Sequence, residues 1–437
     1  LFNIIKKINN NEDKLDNLLK LVWDYKTNIN FIRYYKNYEE RKAINEISDK
    51  IFELSINLKK SLQKVDKLSN PDTFIKKYQN YEKILDCHWF LSSEIPCWRT
   101  GINELKKNNI LIDDNNSIIA YKSIFLVINS IDNRLETRGR DSFGLSIQFS
   151  KVNDLNINNY TSNNGCTEFF YENANQVGTF IFKTANKIGS LGDNAVEIKK
   201  QIFNENLFHK IISKGSFETI TIVAHTRWAS VGSINLENCH PSNNTGLNGL
   251  NEFPLVFSSM NGEIHNYKEI IYDKEEKIKY KFNKKFTSDC QAVAASFTNI
   301  KYNSSQINKT IDSYQGSFVI ALQTSTNPEE IRLIKKGNQG LYIGISSDQI
   351  MFASDVYGLI ESCRYFYPID SDQHISISKS SFEFNKDFSI TINSINSNNK
   401  IKINKNNFKK TNITTRDINK KGYTHFLKKE IYETENI

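Results

Sequence analysis

The sequence predicts an α+β fold: a layered domain over residues 117–384, preceded by a mainly helical N-terminal region. Two observations carry this. Ile44, Ile47, Ile51, Leu54, Leu58, Leu62 and Val65 recur every three or four residues, one apolar stripe along a long helix. From Ser117 onward, many short apolar or alternating runs are interleaved with a few helix-like stretches, the pattern of sheets covered by helices.

The elements follow in order. Residues 1–110 read as helical, with a break and restart at Asn70-Pro71-Asp72, where Pro sits early in the next helix and is tolerated. The stripe favours ordinary helix packing over a coiled-coil dimer because the heptad signal is short. His88, Trp89, Cys97 and Trp98 read as aromatic packing between helices. Ile118–Asn133 is predicted as a helix, Arg138–Ser142 as a turn, and Leu145–Ser150 and Thr179–Lys183 as strands. Ala195–Leu207 is predicted as a helix. Further strands are expected at 220–225, 254–259, 317–323, 331–335, 341–346, 350–353 and 376–384, with helices near 288–299 and 307–313. An Asn/Lys-rich stretch at 384–410 reads as a linker, in which Ile and Phe between 390 and 408 allow one more hairpin.

Composition narrows the functional classes. The 437 residues suffice for two or three domains. The net charge of +8 is spread over 57 basic and 49 acidic residues rather than gathered in one arm, which argues against nucleic acid as a partner. No apolar run approaches a membrane span. Six scattered cysteines without metal-ligand spacing favour a reducing, cytoplasmic setting, and neither a metal nor an organic cofactor is expected.

The chemically informative residues cluster in five places. Ile220–Ala224 reads as a buried strand ending in His225-Thr226-Arg227-Trp228-Ala229-Ser230. An Arg at such an end needs a partner, either a structural ion pair or the carboxylate of a small acid. Asn238-Cys239-His240-Pro241 follows, the His held extended by the Pro. Asn261-Gly262 follows a strand; it is either a hairpin turn or a pair of donors for an oxyanion. Ser288-Asp289 opens a helix, the Asp acting as a cap or as a grip for a substrate ammonium. Arg138-Gly139-Arg140-Asp141-Ser142 is a polar turn.

In this order the motifs resemble the glutamine amidotransferase domain of the N-terminal-nucleophile class (class II), most closely that of the glutamine–fructose-6-phosphate aminotransferases. That family carries R-G-x-D-S, H-T-R-W-A-T, N-x-H-P, N-G-x-I-x-N, S/T-D and a late A-S-D. These match Arg138–Ser142, His225–Ser230 with Ser for the last Thr, Asn238–Pro241, Asn261–Asn266, Ser288-Asp289 and Ala353–Asp355. The segment from His425 to Glu433 resembles the family's lead into a sugar-phosphate isomerase domain. The resemblance spans residues 118–384 and leaves out 1–110.

It implies a four-layer α/β/β/α sandwich with a mainly helical N-terminal insertion at 1–110. The amidotransferase domain would occupy 111–384, and 385–437 would be a linker to an isomerase domain beyond the chain. Asn261 and Gly262 would form the oxyanion hole. Arg227 would bind the glutamine α-carboxylate and Asp289 the α-ammonium. Trp228 would lie near the ammonia path, Ser230 and His240 at the glutamine pocket, and Arg138 around the nucleophile. Val231 stands where the family often has His, so no role of that His carries over.

The implied partners are L-glutamine and, through C-terminal domains, fructose 6-phosphate, with a homodimer at full length. The family's nucleophile is a terminal Cys, expected just upstream of Leu1; Cys97 lacks the Gly-Ile that follows it. Two other readings stand beside this one. A relative without the nucleophile would be a glutamine sensor or a scaffold. An amidotransferase acting on a phosphoribosyl donor is disfavoured by Trp228 and the tail.

Overall fold

The computed structural model describes residues 12–65, 70–152, 165–185, 192–228, 232–245, 254–271, 287–298, 300–378, 389–397, 399–419, 422–423, 428–429 and 431–432. The chain divides into two compact units, one of residues 1–97, 360–362 and 411–437, the other of residues 98–359 and 363–410.

In the first unit, helices α1 (Glu12–Asp24), α2 (Asn28–Lys36), α3 (Tyr38–Gln63) and α4 (Pro71–Trp89) run into a π-turn at Phe90–Glu94. Asn37 starts α3 by accepting the Glu39 and Glu40 amides at 2.8 and 3.4 Å, the expected behaviour of an Asn N-cap. The apolar stripe is buried at Ile44, Ile47 and Ile51 and fades to partial burial at Leu54 and Leu58. His88 contacts Ser48 Oγ through Nδ1 at 3.0 Å, and the Trp89 indole donates to Thr415 Oγ1 at 2.8 Å. These are packing roles, as the sequence suggests.

The helical region is expected to reach residue 110, yet the division falls at Cys97–Trp98, inside α5 (Ile95–Leu105). The reason is local. Gly101 lets the α5 backbone lie against the Phe125 ring, and Lys122 sits 4.7 Å from the Trp98 ring centre. Both partners belong to α6 (Asn115–Ser130), which is part of the second unit.

That second unit begins its sheets with β1 (Ser142–Phe149), β2 (Glu168–Glu172) and β3 (Val177–Thr184). Helices α7 (Asp193–Asn204) and α8 (Asn206–Ser213) follow, then β4 (Ile220–Arg227), β5 (Ser242–Asn243) and β6 (Val256–Ile264). After α9 (Tyr267–Ile271), α10 (Asp289–Ser296) and α11 (Ser304–Asp312) come β7 (Gly316–Thr324), β8 (Glu330–Lys336), β9 (Tyr342–Ile345) and β10 (Ile350–Ala353). The last strands are β11 (Tyr365–Pro368), β12 (Gln373–Ser378), β13 (Ile390–Ser394), β14 (Lys400–Ile403) and β15 (Lys409–Lys410). Three antiparallel sheets result, ordered β2-β3-β1-β4, β14-β13-β12-β8-β7-β6-β5 and β10-β9-β11-β15.

The period of two along each strand sorts these sheets into layers. On β1, Phe143 and Phe149 turn outward; Phe149 packs with Phe180 and Phe208, the latter on α8. On the second sheet, Val256, Met260, Phe318, Ile320 and Leu322 pack with Val293, Phe297, Ile307 and Ile311 of α10 and α11. The alternate residues Val319, Ala321 and Leu333 pack instead with Val223 of β4. The order is helix, sheet, sheet, helix: the four-layer α/β/β/α sandwich.

Three strands escape the sequence pattern. β5 has only two residues, β2 is partly buried along its whole length, and β11 is four residues long and ends in Pro368. The stretch expected as a linker is built into the fold from 390 to 410. β13 and β14 form the hairpin that its Ile residues allowed, extending the second sheet, and β15 joins the third.

Candidate functional site

Strand register assembles one end of the sandwich. β4 pairs with β1 so that Arg227 lies opposite Ser142 and His225 opposite Gly144. Residues two apart share a face, so Arg227 and His225 point the same way as Val223, toward the second sheet. Arg227 is 6% exposed and donates to the Ser233 carbonyl at 3.3 Å.

His240 reaches this end from the loop before β5. Its approach depends on Gly144: a Cβ there would lie 1.5 Å from the His240 carbonyl oxygen, so only glycine permits the contact. The His225 and His240 rings lie 4.2 Å apart, tilted by 31°. His240 Nδ1 accepts the Met260 amide at 3.2 Å, which fixes that nitrogen as unprotonated. Burial, then the neighbouring Arg227 charge, pushes the His225 pKa down to about 4. Burial, His225, Arg227 and Lys183 likewise hold His240 well below the ordinary imidazole range. Both rings are therefore neutral near pH 7.

Met260 leads directly into Asn261-Gly262. The pair is not a hairpin turn: it lies within β6, with Asn261 opposite Val319 and Gly262 opposite Phe318. Gly262 has φ +110°, and a Cβ on it would lie 2.1 Å from the Ser317 carbonyl oxygen. The strand is distorted there in a way L side chains rarely adopt. The Asn261 side chain is exposed, its Nδ2 3.5 Å from Gln339 Oε1.

Asp289 is the first residue of α10, behind a capping box formed by Ser288 and Gln291. Its carboxylate is 6% exposed and accepts the Ile264 amide, two residues beyond Gly262, and the Cys290 amide, both at 3.0 Å. Burial raises its pKa, while these amides and the Arg227 charge act against the rise. Asn238, fully buried, ties the loop to this helix start: its amide donates to the Ser233 carbonyl at 3.0 Å and its oxygen accepts from Thr287 Oγ1.

The structure thus gathers Arg227, His240, Asn261, Gly262 and Asp289 around the ends of β4 and β6. Arg138 forms an ion pair with Asp355, joining two motifs far apart in sequence; its side chain is 58% exposed. The following turn is fixed to β4 by the Asp141 amide, which donates to the Arg227 carbonyl at 3.0 Å. Trp228, just past β4, is 64% exposed. Ser230 lies outside the described residues.

Sequence reasoning missed the stacking of His225 on His240, although period two from Arg227 places His225 on the same face. It also missed Asp355 as the partner of Arg138; no local pattern carries that contact. Among the described residues, no group of three or more His, Cys, Asp or Glu could hold a metal ion, and no helix is long and apolar enough to cross a membrane.

Residues 251–361 match the family described as the glutamine amidotransferase domain. Over 273 residues the chain is 27% identical to a glutamine–fructose-6-phosphate aminotransferase (isomerizing) from Caldanaerobacter subterraneus, covering 62% of this chain and 39% of that protein. The protein of the same name from Clostridium acetobutylicum is 28% identical over 217 residues, covering 48% and 31%. A solved glutamine phosphoribosylpyrophosphate amidotransferase from B. subtilis, in complex with ADP and GMP, superposes with a TM-score of 0.38 at 14% identity, covering 63% of this chain and 47% of that one. The chain spans well under half the length of the two aminotransferases it matches.

Proposed function

We propose that this chain, whose residues 251–361 match a glutamine amidotransferase domain and which is similar to the glutamine–fructose-6-phosphate aminotransferases, is their glutaminase half. It would bind L-glutamine and release the side-chain amide as ammonia for making glucosamine 6-phosphate. The observation that carries this is the pair of opposite charges held at one end of the sandwich. Arg227 and Asp289 are both buried, and the Arg227 charge acts on the Asp289 carboxyl. An α-amino acid presents one anion and one cation, and this pair offers a grip for each.

In this reading the Arg227 guanidinium takes the α-carboxylate and Asp289 the α-ammonium. That leaves the side-chain amide to extend toward Asn261-Gly262. The Asn261 amide and the Gly262 N–H stabilise the oxyanion that forms when the amide carbon is attacked. His240 holds the Met260 amide beside them, Arg138 and Asp355 brace the turn before β1, and Trp228 and Ser230 line the way out. The attacking thiol comes from the terminal Cys that the likeness implies. Fructose 6-phosphate would be met by isomerase domains outside this chain, in a dimer.

The test is ammonia release from L-glutamine by the full-length protein. Asn261→Ala is expected to lower turnover by about 10²–10³ while calorimetry still detects glutamine binding. Glutamine binding without ammonia release in the unsubstituted protein would favour the sensor instead, and no binding at all would sink both.

A further inference from the structure

Between the two sheets, polar groups stand beside the apolar cluster of Val223, Val319, Ala321 and Leu333. Going inward from Arg227, the face that β4 turns to the second sheet carries His225, Val223 and Thr221. Beside them on β1 stand Gly144, Ser146 and Gln148, in register. Across the gap, Ser259 of β6 shares the inner face with Asn261, because the adjacent Ser258 hydroxyl bonds the Cys290 carbonyl on the helix side. Ser146 and Gln148 are fully buried and Ser259 is 5% exposed.

Some of these groups satisfy one another. The Gln148 amide donates to Thr179 Oγ1 at 3.0 Å, and the Gln323 amide to Thr221 Oγ1 at 2.9 Å. Four buried atoms here meet no protein partner among the described residues: His225 Nδ1, Ser146 Oγ, Gln148 Oε1 and Ser259 Oγ. Each unpaired group would cost at least as much as a typical hydrogen bond contributes. Buried polar atoms left over by the protein are ordinarily satisfied by internal water.

We infer that the seam binds a file of ordered water molecules, held by His225, Ser146, Gln148 and Ser259, with its first member beside the Arg227 end of the sandwich. Same-face neighbours along a strand lie about 7 Å apart, a gap that one or two waters bridge. Under the function proposed above, the file gives the glutamine pocket a supply of water from behind, without passing its mouth. Only that use rests on the glutaminase reading; the binding of water does not.

Ser146→Ala and Ser259→Ala decide the matter, because the sign of the stability change differs. Removing a hydroxyl that bonds water loses a hydrogen bond, whereas removing an unpaired buried hydroxyl removes a penalty. Each variant is expected to raise the unfolding equilibrium constant in urea about three- to ten-fold, with glutamine binding by calorimetry unchanged. A crystal structure of the unsubstituted protein is expected to show ordered water within hydrogen-bond reach of all four atoms. An unchanged or lowered unfolding constant, or hydroxyls found turned onto backbone carbonyls with no water between the sheets, would overturn the inference. Neither readout requires turnover, so failure of the glutaminase reading would leave this test intact.

Discussion

The knot around Glu94 in the helical unit and the Arg227 end of the sandwich hold their charges in different company. In the helical unit, charge meets charge. Lys26 pairs with Glu94, donates to the Glu361 carbonyl at 3.0 Å and lies 4.0 and 3.9 Å from the ring centres of Trp23 and Phe90. Thr415 bonds the same Glu94, and Arg416 pairs with both Asp86 and Glu82. At the Arg227 end of the sandwich, peptide groups take part. Arg227 donates to the Ser233 carbonyl, Asp289 accepts the Ile264 and Cys290 amides, and His240 accepts the Met260 amide. A side chain whose charge is answered by an opposite charge serves to fasten. Asp289, bonded through peptide amides and acted on by the Arg227 charge, sits at a helix start rather than inside such a knot. Lys26, Glu94, Arg227, Asp289 and His240 are alike in burial and differ in their partners.

The contrast can be broken most directly at Lys26. Lys26→Met strands the Glu94 carboxylate and is expected to cost about 3–5 kcal/mol of stability by urea denaturation. A loss below about 1 kcal/mol would mean that the knot fastens nothing. Arg227→Leu should behave differently. Glutamine affinity is expected to fall by about ten- to a hundred-fold in calorimetric titration, as for the loss of charge-assisted hydrogen bonds. Its stability should change far less than that of Lys26→Met; an equal loss would make Arg227 a structural charge as well.

A third measurement uses pH. His225 is held neutral in the fold, its pKa lowered to about 4 from about 6.5 in an unfolded chain. The unfolded chain therefore takes up a proton first as pH falls. The contribution is fully present above about pH 6.5 and is lost between there and about pH 4. Relative to His225→Phe, the unsubstituted protein should lose stability across that window in urea titrations at stepped pH; parallel curves would show that His225 is not buried as described. The smallest effect belongs to the half-exposed pair Arg138–Asp355. A double-mutant cycle there is expected to give about 0.2–1 kcal/mol, and a much larger coupling would move this pair into the class of Lys26.

Much of this was legible in the chain. The long stripe through Ile44, Ile47 and Ile51 gave α3, and the run before His225 gave β4. The Arg227 end was singled out because an Arg and a His at a strand end are costly without a partner. What stayed hidden has physical causes. Asn261-Gly262 looks like a turn because neither residue favours a strand; it is a strand interior held by nine register positions shared with β7. The ring pair His225–His240 forms only when β4, the loop before β5 and β1 with its Gly144 meet. The hairpin of β13 and β14 was masked by Asn and Lys, whose polarity reflects exposed outer positions such as Lys400 and Lys402.

The opposition of Arg227 to Ser142 across β4 and β1 has a consequence for how such a chain can change. Side chains alternate faces with a period of two, so a shift of one residue in either strand turns the whole row over. The guanidinium would then face the aromatic layer under α8, and Thr226 would face the second sheet. Between Ser142 and Arg227 the chain can lengthen only in its loops, never by a single residue within these two strands. The loop after β1 is where such drift among relatives should collect, and the two paired strands are where alignments should stay ungapped.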